Sequence, residues 1–211
     1  MKRAGWLVAV LLLVSAGAWA KKEDEPRSHF ASEISYARAF YGDPVYAKVF
    51  DDDFMWGGLI NFTWYPIRNL GLDLGIGTLY GAGHALTRTG RASGEDVELY
   101  VLPGSLGLTY RFDFLNEQLV VPSVSAGGDY WAYRENNAFS KRVEGGKNGY
   151  YVKGGLGILL DWIEPDSSFN LQDDFGIENV FLELGWTETW MNQEGLNFSA
   201  ILYQAGFRFE F

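Results

Sequence analysis

Apolar and polar side chains alternate at every second position through most of the chain from residue 30 onward. In an extended strand successive side chains point to opposite sides, so a spacing of two predicts strands with one apolar face. Phe30 to Tyr41 sets Ile34 and Tyr36 against Glu33 and Ser35, with Arg38 interrupting its apolar side. Phe54 to Tyr65 sets Trp56, Ile60, Phe62 and Trp64 against Asn61 and Thr63. Leu70 to Tyr80 opposes Leu72, Leu74, Ile76 and Tyr80 to Gly71, Asp73, Gly75 and Gly77, and YPIRN between these two predicts a tight turn. Val97 to Phe112 places Tyr100, Leu102, Leu106, Leu108, Tyr110 and Phe112 opposite Ser105, Gly107, Thr109 and Arg111. Leu119 to Tyr133 follows, with Pro122 suited to a strand start or bulge because it has no ladder donor.

Three more segments complete the series. Tyr150 to Trp162 has Val152, Leu156, Ile158, Leu160 and Trp162 on one face and Lys153, Gly155, Gly157 and Asp161 on the other. Asn179 to Trp190 opposes Val180, Leu182, Leu184 and Trp186 to Glu183, Gly185 and Thr187. Leu196 to Phe211 carries Ile201, Tyr203, Ala205, Phe207, Phe209 and Phe211 on one face and Gln204, Gly206, Arg208 and Glu210 on the other. An exposed row of Phe ending the last strand would be an aggregating edge in water, whereas contact with lipid removes the problem. Helix is excluded by the period and by recurrent glycine. The reading is an all-β, eight-stranded antiparallel up-and-down transmembrane β-barrel over 30–211, with both chain ends on the periplasmic side. A soluble lipid-binding barrel would carry the apolar stripe inside; here the opposite faces hold Gly, Ser and charges, a poor lining for a greasy cavity.

Composition agrees: 12 Tyr, 15 Phe and 8 Trp suit the aromatic girdles of a membrane barrel, and 26 Gly suit its tight curvature. Lys2 and Arg3, the apolar run Trp6 to Val14, and Ala18-Trp19-Ala20 form the layout of a secretory signal peptide over 1–20. Residues 21–29 then form a short periplasmic segment. The chain has no Cys, which excludes a lipoprotein signal, disulfides and thiolate metal sites. Its net charge is -10, and losing Lys2 and Arg3 makes the remainder more negative still, which argues against nucleic acid as a partner.

Candidate chemistry is sparse. Glu33, Asp73, Arg111, Lys153, Glu183, Arg208 and Glu210 fall on the inward faces. An eight-stranded lumen is just wide enough for side chains, so these groups are expected to pair in a network that fixes the barrel. A narrow solute or proton path is the alternative, and Arg208 and Glu210 are expected near a solvated periplasmic rim. Of the two His, His29 precedes the first strand and His84 lies in the second outer loop near Thr87, Thr89 and Ser93, without an acid at useful sequence spacing. No catalytic site, cofactor or metal is assigned, although an envelope lipid-modifying enzyme would have to use His84.

The first outer loop carries Asp43 and Asp51-Asp52-Asp53, able to face a hard cation or to bridge through it to lipopolysaccharide, but without the Gly-containing spacing of a calcium loop. Arg88 and Arg91 in the second loop, and Lys141 and Arg142 in the third, offer contacts to lipid phosphate or to water. Residues 163–178 are long for a periplasmic turn. A short helix starting at Ser168 or Asn170 and ending at Gly176, with Asp173, Asp174 and Phe175 on its surface, makes this the candidate for a periplasmic contact. No peptidoglycan-binding segment is expected after the last strand.

The signal peptide, the alternating segments and the ending YQAGFRFEF resemble the small outer-membrane barrels of Gram-negative bacteria. Tyr203, Phe207, Phe209 and Phe211 are similar to the carboxyl-terminal signal by which the barrel-insertion machinery recognises that class. The stretches LYVLPGSLGLTYRFDF, VVPSVSAGGDYWAYRE and YYVKGGLGILLDWIEP further resemble a poorly characterised outer-membrane barrel family of myxobacteria and their relatives. The resemblance implies insertion in the outer membrane among lipid and lipopolysaccharide. It assigns no activity, since the class includes structural barrels, adhesins, small-solute channels and a few lipid-modifying enzymes.

Overall fold

A computed structural model describes residues 28–43, 45–50, 54–86, 92–115, 118–137, 143–163, 171–191 and 197–211. Eight antiparallel strands follow one another around a closed barrel: β1 (Phe30–Tyr41), β2 (Phe54–Ile67), β3 (Leu70–Leu86), β4 (Ala92–Arg111), β5 (Val120–Asn137), β6 (Val143–Leu159), β7 (Asn179–Met191) and β8 (Ala200–Glu210). β1 pairs with β8 from Ala31↔Glu210 to Tyr41↔Ala200, so the sheet has no free edge. Closure matters because hydrocarbon offers no partner for a bare backbone N–H or C=O. A single turn of helix, α1 (Tyr46–Val49), lies between β1 and β2.

The alternation sets the faces as expected. Ile34, Trp56, Phe62, Leu74, Ile76, Leu106, Leu108 and Phe207 are exposed on the outside, with Ile76 and Leu106 61% and 60% accessible. Their strand neighbours point inward and are buried or half-buried. An apolar belt of this extent on a closed barrel marks a surface that lipid covers. Arg38 belongs to the outward row of β1, between Tyr36 and Phe40, so the strand is regular and the charge is what departs from the pattern.

Strand lengths differ from expectation mainly on the side away from the chain ends. β3 to β6 run on to Leu86, back to Ala92, on to Asn137 and back to Val143, well past the apolar belt. There glycine, small and polar residues are mixed on both faces, so alternation gives no signal while the backbone ladder continues. At the periplasmic end, β2 and β3 are joined through Arg68 and Asn69. Asn69 adopts φ 70, and its side-chain amide donates to the Arg111 and Asp113 carbonyls at 2.7 and 2.9 Å. Asn tolerates this left-handed conformation because its short polar side chain can bond locally. The β4–β5 turn is organised by Gln118, whose Nε2 donates to the Phe112 and Val120 carbonyls at 2.9 and 2.7 Å. Pro122 sits near the start of β5, where a missing donor is tolerated.

In the β6–β7 connection a helical turn at 171–175 ends on Gly176, φ 69, with Gly176 N–H donating to the Gln172 carbonyl at 3.0 Å and Ile177 N–H to Leu171 at 3.2 Å. This is the left-handed stop that glycine permits at a helix end. Its expected start at Ser168 or Asn170 lies outside the described residues, as do the signal peptide, Asp51, Asp52, Asp53, Arg88, Arg91, Lys141 and Arg142.

Inward glycines let neighbouring strands close up. A Cβ on Gly57 would run into the Thr78 backbone and the Leu79 Cα of β3, whereas one on outward Gly58 would meet only the Ser35 carbonyl oxygen at 3.9 Å. Gly57→Val is therefore expected to abolish the heat-modifiable gel migration of the folded barrel, while Gly58→Val retains it. Equal migration of both variants would show that the faces are assigned wrongly.

Candidate functional site in the barrel lumen

The lumen has two tiers with different chemistry. In the periplasmic half, inward positions of all eight strands converge on a buried polar cluster. Lys153 Nζ of β6 donates to both carboxylate oxygens of Glu33 on β1, at 2.9 and 3.2 Å, across the barrel interior. Arg111 of β4 pairs with Glu210 of β8. Arg208 Nε donates to the same Glu210 carboxylate at 3.1 Å, and its Nη2 donates to the Tyr65 hydroxyl. The Arg111 guanidinium also lies 5.2 Å from the Phe181 ring centroid and 5.9 Å from that of Tyr65, and Arg208 lies 5.6 Å from Tyr65. Cations stacked on ring faces in a dry space gain attraction that water would otherwise screen.

Two acids are held by hydroxyls instead. Asp73 accepts from Thr63 Oγ1 at 2.8 Å, and Asp129 from Thr189 Oγ1 at 2.7 Å. Glu183 is buried in the electrostatic field of Arg208 and Lys153. Gln204 Nε2 donates to Thr187 Oγ1 at 3.1 Å, and the Thr109 and Ser125 hydroxyls share a hydrogen bond. Glu33, Asp73, Arg111, Lys153, Glu183 and Arg208 therefore occupy one continuous tier, and Asp129 joins it from a position that sequence reading did not single out as a site. Arg208 and Glu210 are 5% and 4% exposed rather than solvated. They lie near the end of β8, but Tyr65, Phe181 and Arg111 cover them from the neighbouring strands.

The extracellular half of the lumen is apolar, against the expectation of a polar interior throughout. Ala37, Ala39, Met55, Leu59, Leu79, Leu99, Val101, Trp131, Met191, Ala200 and Leu202 form one buried cluster, capped by Tyr46 of α1 and by Phe198 ahead of β8. Tyr46 stacks on Tyr41 with ring centroids 4.2 Å apart, and Phe198 packs against Tyr133 at 4.9 Å. Burial pushes the Tyr46 hydroxyl well above its ordinary pKa, so it stays neutral in the cap. The tier escaped sequence reading because both faces are apolar there. In Leu99-Tyr100-Val101-Leu102, for example, Leu99 and Val101 point in while Tyr100 and Leu102 point out, and a period of two is invisible.

A cavity of about 50 Å³ separates the tiers, lined among others by Asp129, Lys153, Gln204, Trp131, Pro103 and Ile76. At this height the β3–β4 ladder pairs Ile76 with Gly104 and resumes at Leu79↔Val101, skipping the residues opposite Leu102 and Pro103. Proline has no N–H to give the ladder.

Other sequence candidates lie outside the lumen. His84 stands opposite Asp96 across the β3–β4 ladder, Nδ1 to Oδ1 3.2 Å, so the acid absent at useful sequence spacing is supplied by the neighbouring strand. Asp43 Oδ1 accepts from the Val45 N–H at 2.9 Å. Among the described residues no group of three or more His, Asp or Glu is placed to hold a metal ion. Tyr203, Phe207 and Phe211 project outward from the carboxyl-terminal end, and Phe209 is partly covered on the same row. The Phe211 N–H donates to the Phe30 carbonyl at 2.9 Å, joining the last residue to the first strand.

A closed eight-stranded barrel with an apolar outside and a filled lumen is an integral outer-membrane β-barrel. In shape the chain is similar to the outer membrane protein OprG from Pseudomonas aeruginosa, with a TM-score of 0.62, 14% identity, and coverage of 88% of this chain and 97% of that one. It is also similar to Ail, the attachment invasion locus protein of Yersinia pestis, solved with the heparin analogue sucrose octasulfate, with a TM-score of 0.50, 10% identity, and coverage of 89% and 100%. No protein-family model matches the chain, and no curated protein matches its sequence. What the likeness shows is the fold of Gram-negative outer-membrane barrels as a class.

The Lys153–Glu33 pair generates a stability prediction. Removing one partner strands a buried charge, a loss of about 3–5 kcal/mol, while removing both recovers much of it. Lys153→Met should lower the urea midpoint of the refolded barrel in micelles markedly, and Lys153→Met combined with Glu33→Leu should restore most of the difference. A double variant as weak as the single one would contradict direct pairing.

Proposed function

We propose that this chain is a sealed outer-membrane barrel that acts through its surface, as a structural or surface-interaction protein, rather than by conducting solute. The observation that carries the reading is the two-tier lumen: ion pairs and hydroxyl-bonded acids fill the periplasmic half, and α1 with Phe198 closes the apolar half. No catalytic step is assigned to it. In this reading residues 1–20 are a cleaved signal peptide, 21–29 a short periplasmic segment and 30–211 the barrel. Tyr203, Phe207, Phe209 and Phe211 form the signal read by the insertion machinery, and lipid and lipopolysaccharide surround the belt. The β6–β7 connection, where Trp162, Ile163 and Phe175 are exposed, is the proposed periplasmic contact. The likeness of three long stretches to a myxobacterial-type barrel family is retained as the finer family proposal.

A narrow channel for small polar or hydrophobic solutes is the second reading, favoured by the cavity and by the lapse in the β3–β4 ladder beside Pro103. The two readings separate in a planar bilayer. The sealed barrel shows no discrete conductance steps at any salt concentration, and neutralising Lys153 or Glu183 introduces no graded change. Steps that scale with salt and fall on Glu183→Gln would replace it with the channel.

A further inference from the structure

Arg38 is a cation on the lipid-facing row of β1, a place where an unserved charge is costly. Its guanidinium carbon lies 4.7 Å from the Phe54 ring centroid and 5.8 Å from that of Tyr36, and its Nε donates to the Tyr36 hydroxyl at 3.3 Å. Among the described residues no carboxylate pairs with it. β1 climbs from the periplasmic end and stops at Tyr41, so Arg38 is level with the extracellular girdle, where its ladder partners are the aromatic residues Trp56 and Tyr203.

Beside Arg38, toward the bilayer interior, the outer wall is indented by a groove of about 510 Å³. Its floor is made of small residues, Gly58, Thr78 and Ala205, and its walls of Tyr36, Trp56 and Tyr80. The ladder explains the shape. Tyr36 stands between Gly58 on β2 and Ala205 on β8, and Gly58 faces Thr78 on β3, so large rings alternate with bare backbone around the wall. Trp56 and Tyr80 pack edge to face at 5.9 Å and form one wall together.

We propose that this face binds one phosphate-bearing glycolipid of the outer leaflet, with a phosphate on Arg38 and an acyl chain in the groove. The guanidinium fork matches phosphate oxygens in a bidentate geometry. Its aromatic neighbours place it at the headgroup level, where the ring edges are wet and the faces are not. The groove is within the hydrocarbon belt, so a chain covers it, and the charge complementarity at its upper end selects an anionic lipid over a neutral one. The inference deepens the surface-interaction reading and rests on it for orientation. It does not depend on whether the lumen is sealed, so a conducting barrel would overturn that reading and leave this one standing.

The test is native mass spectrometry of the full barrel released from phosphatidylcholine nanodiscs doped with monophosphoryl lipid A, or with a neutral diacyl glycolipid instead. One monophosphoryl lipid A is expected to be retained per barrel and the neutral glycolipid is not. Arg38→Gln should lower retention about tenfold, the loss of one charge-assisted contact. Gly58→Leu, which points into open space, should fill the groove and displace the lipid while heat-modifiable migration persists. Unchanged retention in Arg38→Gln, or equal retention of the neutral glycolipid, overturns the proposal.

Discussion

The antiparallel closure of β1 on β8 is the constraint from which the rest follows. Hydrocarbon supplies no hydrogen-bond partners, so the sheet must return to its first strand, and with eight strands it returns around a lumen no wider than opposed side chains. The register from Ala31↔Glu210 to Tyr41↔Ala200 fixes which residues look inward on both strands. It places Glu33, Arg208 and Glu210 inside together. Once inside, a charge has neither water nor lipid to turn to, and the cluster of Lys153, Glu33, Arg111, Glu210, Arg208 and Tyr65 is the arrangement that remains.

The two tiers solve the same filling problem in different ways. The periplasmic tier uses long charged side chains from opposite walls, which reach across the axis and lock their strands at fixed separation. The extracellular tier uses Leu79, Val101, Trp131 and Leu202, topped by chain segments that fold inward at α1 and Phe198. Five buried acids, Glu33, Asp73, Asp129, Glu183 and Glu210, meet three buried cations, Arg111, Lys153 and Arg208, among the described residues. Hydroxyl donors from Thr63 and Thr189 therefore take the part of cations at Asp73 and Asp129.

Much of this was legible in the chain because a period of two is a geometric statement as well as a statistical one. Ile34, Trp56, Leu74, Leu106 and Phe207 lie outside, and Glu33, Asp73, Arg111, Lys153, Glu183 and Arg208 inside, where alternation put them. The signal failed where the two faces have the same polarity. It missed the outer ends of β3 to β6, and it missed the apolar upper lumen behind Leu99, Val101 and Met55. It also could not reach relations across the ladder: Asp96 beside His84, Tyr65 over Arg208, or the small residues that flank Tyr36. These depend on register, which the order of residues in a single strand does not contain.

Because the chain has no cysteine, thiol labelling tests the sealed lumen without background. Single cysteines at Val101, in the apolar tier, and at Ser125, in the polar tier, would be compared with one at exposed Gly94 in barrels folded into vesicles. A small charged methanethiosulfonate reagent should modify the Gly94 position promptly and leave both lumen positions unreacted until the barrel is unfolded. Modification of the two lumen cysteines at the rate of the exposed one would show a wet, continuous interior and contradict the account.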